Sequence, residues 1–126
     1  MNIPDDLKYT KEHEWVRVEG DTATVGITDY AQGELGDVVF VELPQVGAAV
    51  KQNEAFGTIE AVKAVSELFA PLSGKVAAIN GDLEADSSTV NSDPYGKGWM
   101  IQITDFSAGE LGSLLDAAAY RKLLED

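Results

Sequence analysis

The stretch AFGTIEAVKAVSELFA, residues 55–70, decides how this chain is read. Ala55 to Ala61 and Val65 to Ala70 are rich in small and β-branched residues, and each reads as a strand. Only Val62, Lys63 and Ala64 stand between them. If the two runs pair as a hairpin, Lys63 stands near its tip, exposed and accessible to another protein's active site. Glu60 and Glu67 lie a few residues to either side and offer a partner charged handles. No Asn-Gly or Asp-Gly marks the tip. On pattern alone the plainer reading is a solvated charge that protects a strand edge.

Working outward, the same grammar recurs. Glu14 to Val18 (EWVRV) alternates apolar and polar, and Thr22 to Ile27 (TATVGI) returns after a turn at Glu19, Gly20 and Asp21. Thr28 can cap a short helix over Asp29 to Leu35, with Gly36 ending it. Asp37 to Leu43 is a strong strand stopped by Pro44, and Gly47 to Val50 is a weaker one. Gly57 suits a close backbone approach. Lys75 to Ile79 and Trp99 to Thr104 complete the strands, with an irregular acidic stretch, Asn80 to Gly98, between them. Ser107 and Glu110 have capping-box spacing, and Asp116 can cap a second helix from Ala117 to Glu125. Tyr120, Leu123 and Leu124 share one face of it and are expected to pack on the strands. Periodicity alone therefore predicts a mostly β domain, residues 1–126, with helices over about 107–125.

Composition narrows the function. The 126 residues carry 9 basic and 22 acidic side chains, a formal charge of −13, and no cysteine. Such a surface repels phosphate and anionic lipid, which argues against nucleic acid and membrane partners and for partners with basic docking patches. No apolar run approaches a membrane span and the first residues carry no basic-then-apolar leader, so a cytoplasmic location is expected. The missing cysteine excludes disulfides, thiolate metal sites and a thiol nucleophile. His13 is the one histidine, and beside a strand it reads as a structural residue rather than a catalyst. No HExxH, GxSxG or phosphate-binding glycine loop is present. Asp82, Glu84 and Asp86 lack calcium-loop spacing and read as a solvated acidic loop. Nothing selects one catalytic pair among the carboxylates, so the chain does not read as an enzyme, and no metal is expected.

The segment Glu60-Ala-Val-Lys-Ala, followed by Ser66-Glu-Leu and Ala70-Pro-Leu-Ser-Gly, resembles the attachment segment of the lipoyl/biotinyl carrier superfamily. LKYTKEHEWVRVEG (7–20), VGITDYAQGELGDVVFVELPQVG (25–47), NSDPYGKGWM (91–100) and ELGSLLDAAAY (110–120) extend that likeness over nearly the whole length. They resemble one branch in particular, the glycine cleavage H-protein family. Val62 and Ala64 replace the methionines that flank the lysine in biotin carriers, and Val62 replaces the aspartate usual in dehydrogenase lipoyl domains. Two positions depart from the family pattern. Ala61 stands where many members have serine, and Glu34 where many have histidine.

The resemblance implies a flattened antiparallel β-barrel or sandwich of the barrel-sandwich hybrid type. It implies a noncatalytic carrier with lipoic acid in amide linkage to Lys63. A lipoate ligase or a lipoyl/octanoyl transferase would attach it. The partners implied are the pyridoxal-phosphate glycine decarboxylase (P protein), the tetrahydrofolate-dependent aminomethyltransferase (T protein) and dihydrolipoamide dehydrogenase (L protein). Lipoyl-Lys63 would shuttle an aminomethyl group from the first to the second. A lipoate relay, passing lipoyl groups to other carriers, would use the same lysine. Glu14, Ile27, Ala31, Leu35 and Glu67 map to the family groove that receives the arm. Core packing is the alternative for Ile27 and Leu35, and solvent exposure for Glu14 and Glu67.

Overall fold

The computed structural model describes residues 2–125. The first hairpin forms as its alternation predicts. Strand β2 (Glu14–Glu19) pairs antiparallel with β3 (Thr22–Ile27), from Glu14 opposite Ile27 to Glu19 opposite Thr22. Before it lies a two-residue strand, β1 (Lys8–Tyr9), which pairs with β2 and is too short to leave a period in the sequence. Helix α1 (Asp29–Leu35) follows at the predicted bounds. Thr28 Oγ1 accepts from the Ala31 amide at its start, and Gly36 ends it with φ of 77°.

The remaining strands are β4 (Val38–Glu42), β5 (Ala49–Val50), β6 (Ala55–Ala61), β7 (Val65–Phe69), β8 (Gly74–Ile79) and β9 (Ile101–Thr104). They form two antiparallel sheets, ordered β1-β2-β3-β9-β8-β5 and β4-β6-β7. The ladders do not close on themselves, so the expected barrel or sandwich resolves as a sandwich of open sheets. Its core lies between them, built on residues such as Val25, Ile59, Leu68, Leu72, Ile101 and Ile103. Gly57 stands where β6 crosses β4 so closely that a Cβ would lie 2.2 Å from the Glu42 carbonyl oxygen, which is the close approach its place in the strand suggested.

The stretch read as an irregular loop contains two single-turn helices, α2 (Asp82–Ala85) and α3 (Thr89–Ser92), anchored by the buried Leu83 and Val90. One turn carries no helical period, and neither has a side-chain cap to announce it. This segment covers the outer edge of β4. The Val38 amide donates to Asn91 Oδ1 at 2.9 Å and its carbonyl accepts from Ser87 Oγ at 3.2 Å. At the C-terminal end, Ser107 caps α4 (Ala108–Leu111), but the Glu110 carboxylate does not close a capping box. It accepts instead from the Ser73 amide and hydroxyl, each at 2.8 Å. Helix α5 (Ala117–Glu125) starts at Asp116, whose Oδ1 accepts from the Ala119 amide. Its Tyr120 is fully buried and stacks on Tyr9 with centroids 4.7 Å apart, forming with Trp15 a second core on the back of the larger sheet.

Candidate functional site

Strands β6 and β7 form the predicted hairpin, with Ala55 opposite Phe69, an irregularity before Gly57, and then one register from Gly57 opposite Leu68 to Glu60 opposite Val65. The Ala61 amide donates to the Ala64 carbonyl at 2.8 Å, leaving Val62 and Lys63 at the tip. The Val62 amide donates to the Asp37 carbonyl at 3.0 Å, which ties the tip to the chain just after α1. Lys63 is exposed. Its stem runs over Gly36, where a Cβ would lie 3.3 Å from Lys63 Cε and 3.4 Å from Cδ. Gly36 is therefore required for its positive φ, while a methyl there would press the lysine stem aside by only a few tenths of an ångström.

Beside this hairpin a groove of about 270 Å³ opens between α1, the start of β2, the end of β3 and β7. Glu14, Ile27, Ala31, Leu35 and Glu67, the five residues singled out in the sequence, all line it. Ile27 is buried and Leu35 packs on the core, so both serve the interior and the groove wall together. Glu67 is exposed, whereas Glu14 is only 2% exposed. The sequence reading missed Glu12, His13, Tyr30, Ile59, Ser66 and Leu68, which also border the groove. Glu34 is among the lining residues as well, so four carboxylates line one small space. A larger hollow of about 430 Å³, lined by Tyr9, Thr10, Gln52 and Phe69 among others, borders neither the hairpin tip nor α1 and has no such juxtaposition.

Burial is the dominant influence on Glu14, and it pushes the carboxyl up to about 8. Hydrogen bonds oppose it: Thr10 Oγ1 donates to Oε1 at 2.6 Å and the Phe69 amide approaches Oε2 at 3.4 Å. The nearby charge of Glu12 adds to the upward shift. At neutral pH Glu14 is therefore mostly the neutral acid, ready to ionise against an incoming cation.

His13 has a structural place on the groove wall. Its backbone takes φ of 71°, its ring packs on Tyr30 at 4.8 Å, and Nδ1 lies 2.8 Å from the Tyr120 hydroxyl. That hydroxyl also meets Thr28 Oγ1 at 2.8 Å, so α5 braces the cap of α1. Burial lowers the His13 pKa, against the opposing charges of Glu12 and Glu34. The site as a whole pairs an accessible primary amine with an adjacent groove of apolar wall and carboxylate floor. A flexible acyl chain carrying a cationic end fits that donor set. Ile27, Ala31 and Leu35 offer its methylenes an apolar surface, and Glu14 offers the cation a desolvated carboxyl.

The family model described as Glycine cleavage H-protein matches residues 7–126. The chain is 58% identical over 119 residues to a glycine cleavage system H protein of Symbiobacterium thermophilum, covering 94% of this chain and 93% of that one. It is 56% identical over 126 residues to the corresponding protein of Anaeromyxobacter sp. (strain K), covering 100% of this chain and 98% of that one. The crystal structure of a glycine cleavage system H protein from Mycobacterium marinum superposes with a TM-score of 0.89 at 39% identity. The match covers 98% of this chain and all (100%) of that one.

Proposed function

The chain belongs to the glycine cleavage H-protein family, and on that premise we propose that it is a lipoyl carrier, with lipoate in amide linkage to Lys63. The observation that carries this reading is the juxtaposition of the exposed Lys63 with the groove lined by Glu14, Ile27, Ala31, Leu35 and Glu67. When bound, lipoate supplies a dithiolane that takes up and gives up a one-carbon amine. Every other step belongs to this chain's own residues or to its partners.

Gly36 lets the Lys63 stem lie along the end of α1, so the side chain starts out beside the groove that α1 borders. Ile27 and Leu35 form an apolar wall that excludes water from an arm lying in the groove. Glu14 receives a cationic amine. As the ammonium nears Oε1 and Oε2, the carboxyl gives its proton to solvent and holds the cation as a charge-assisted pair. The protein performs no bond-making chemistry of its own in this reading. It tethers the cargo and presents it in turn to the glycine decarboxylase, the aminomethyltransferase and dihydrolipoamide dehydrogenase, in the cytoplasm. The tether raises the local concentration of the cargo at each partner.

Intact mass spectrometry of the protein purified from its native cells, followed by peptide mapping, tests this. The expected result is a gain of one lipoyl group localised to Lys63. An unmodified Lys63, in cells that do lipoylate their dehydrogenases, overturns the carrier reading. Activity in a reconstituted glycine cleavage assay then distinguishes the carrier from a lipoate relay.

A further inference from the structure

The outer face of the β4-β6-β7 sheet has a pattern the fold itself does not use. Register puts Phe40, Glu60 and Val65 side by side in one cross-strand row, because Phe40 pairs with Glu60 and Glu60 with Val65. All three are exposed, Phe40 at 50% and Val65 at 66%. Val62 at the tip is 74% exposed. A bulge between Val38 and Phe40 turns Val39 outward as well, so two consecutive large apolar residues of β4 face solvent. The next row along the same face is Glu42, Thr58 and Glu67, and Asp37 lies at the tip contact. Lys63 is the sole basic residue between Lys51 and Lys75. The lysine thus stands at the end of an apolar patch set in acidic surroundings.

We propose that this face, centred on Phe40 and Val65, seats the enzyme that acylates Lys63, which presents an apolar active-site mouth rimmed by basic side chains. The proposal rests on the reading of Lys63 as the acylated residue. Reach selects this partner over those that act later. An unmodified lysine has only its four-carbon stem to extend, so the acylating site must close over the hairpin itself and cover the neighbours of Lys63. An attached arm carries its distal end away from that surface, so partners that act there are not obliged to cover it. Charge selects against a second copy of this chain, since each copy carries a net −13. Inside the seated complex a base of the partner takes the ammonium proton. The Nζ lone pair then forms the amide bond to the acyl carbon of an activated donor, an acyl adenylate or thioester held by the partner, as the bond to the donor's leaving group breaks.

The test is the double variant Phe40→Thr/Val65→Thr, which leaves a strand-favouring side chain at both positions. Lys63 acylation by an ATP-dependent lipoate ligase with free lipoate is followed by intact mass. Urea midpoints are measured alongside, with Val46→Thr, an exposed valine away from the hairpin, as control. The expected result is a loss of roughly tenfold or more in kcat/KM, carried mainly by KM, with the urea midpoint and the control unchanged. Wild-type acylation that the double variant matches overturns the docking proposal alone. An equal loss in Val46→Thr, or a dimer that the double variant dissolves without a change in acylation, overturns it too. If wild-type Lys63 takes no acyl group, the carrier reading fails with it.

Discussion

Glu14 gives this protein a pH-dependent stability that one isosteric substitution should remove. Its carboxyl is shifted from an ordinary 4.5 to about 8 in the folded chain, chiefly by burial. Between those values the folded state binds a proton that the unfolded state has lost. Stability from this group is therefore fully present below the unfolded pKa and is lost as pH rises through the folded one. Integrated from about pH 6 to pH 9, the loss is about 2–3 kcal/mol at this single residue, or ~10 °C in midpoint for a chain of this length. Glu14→Gln keeps the shape and cannot ionise. Its amide can turn its oxygen toward the Phe69 amide and its NH2 toward Thr10 Oγ1, so any penalty is about 1 kcal/mol or less and does not vary with pH. The assay is urea unfolding of the unmodified protein at both pH values, read by the fluorescence of Trp15 and Trp99. The wild type should lose about 2–3 kcal/mol more than the variant between them. Parallel pH profiles for the two proteins would show that Glu14 does not titrate in this window and would remove the argument for a neutral acid in the groove.

Gly36→Ala should cost about 1–2 kcal/mol for a residue forced to positive φ, and the new methyl should displace the Lys63 stem, seen as altered chemical shifts of the lysine side chain. Tyr120→Phe removes the hydroxyl shared by His13 and Thr28. It should lower stability by about 1–3 kcal/mol in urea titrations while Lys63 acylation is retained. Asn91→Ala breaks its bonds to the Val38 amide, Gln32 and Gly36. Amide exchange at Val38 should rise more than at the core strand β9, because only the edge loses a partner.

What the sequence showed, and what it hid, follow from the range of the forces involved. Local signals were legible. Thr28 caps α1 and Gly36 ends it where their chemistry requires, and the β6–β7 hairpin presents Lys63 at its tip. Strand β1 and the single-turn helices α2 and α3 were not legible, since two to four residues carry no period. The burial of Glu14 was hidden for a different reason. EWVRV reads as a strand with one wet face, yet Glu14, Trp15 and Val16 are all buried. The sandwich core covers one side of β2, and the cluster of Tyr9 and Tyr120 covers the other. The groups that satisfy Glu14 are Thr10, four residues away, and the Phe69 amide, 55 away. The groove residues were named through family resemblance, and no local pattern in the sequence would have gathered them.

A carrier's groove has to hold its cargo without keeping it, and Glu14 bears on how tightly it holds. A cation entering at neutral pH must first displace the proton of a group whose pKa is about 8. Each pH unit below that value weakens retention by about 1.4 kcal/mol, and above it the penalty vanishes. Retention of a cationic amine should therefore strengthen as pH rises from about 6 toward 8 and level off beyond, as long as the amine itself stays protonated. An ionised, solvent-exposed carboxylate at the same place would give no such slope. Glu14→Gln should abolish the slope and shorten retention at every pH, and Glu14→Ala should shorten it while leaving Lys63 acylation intact. Release rates of the amine cargo from the loaded protein, followed across that pH range, decide the matter. A wild-type profile that is flat between pH 6 and 8 would mean that the cation is held elsewhere, with Glu12, Glu34 and Glu67 the remaining carboxylates on the groove wall.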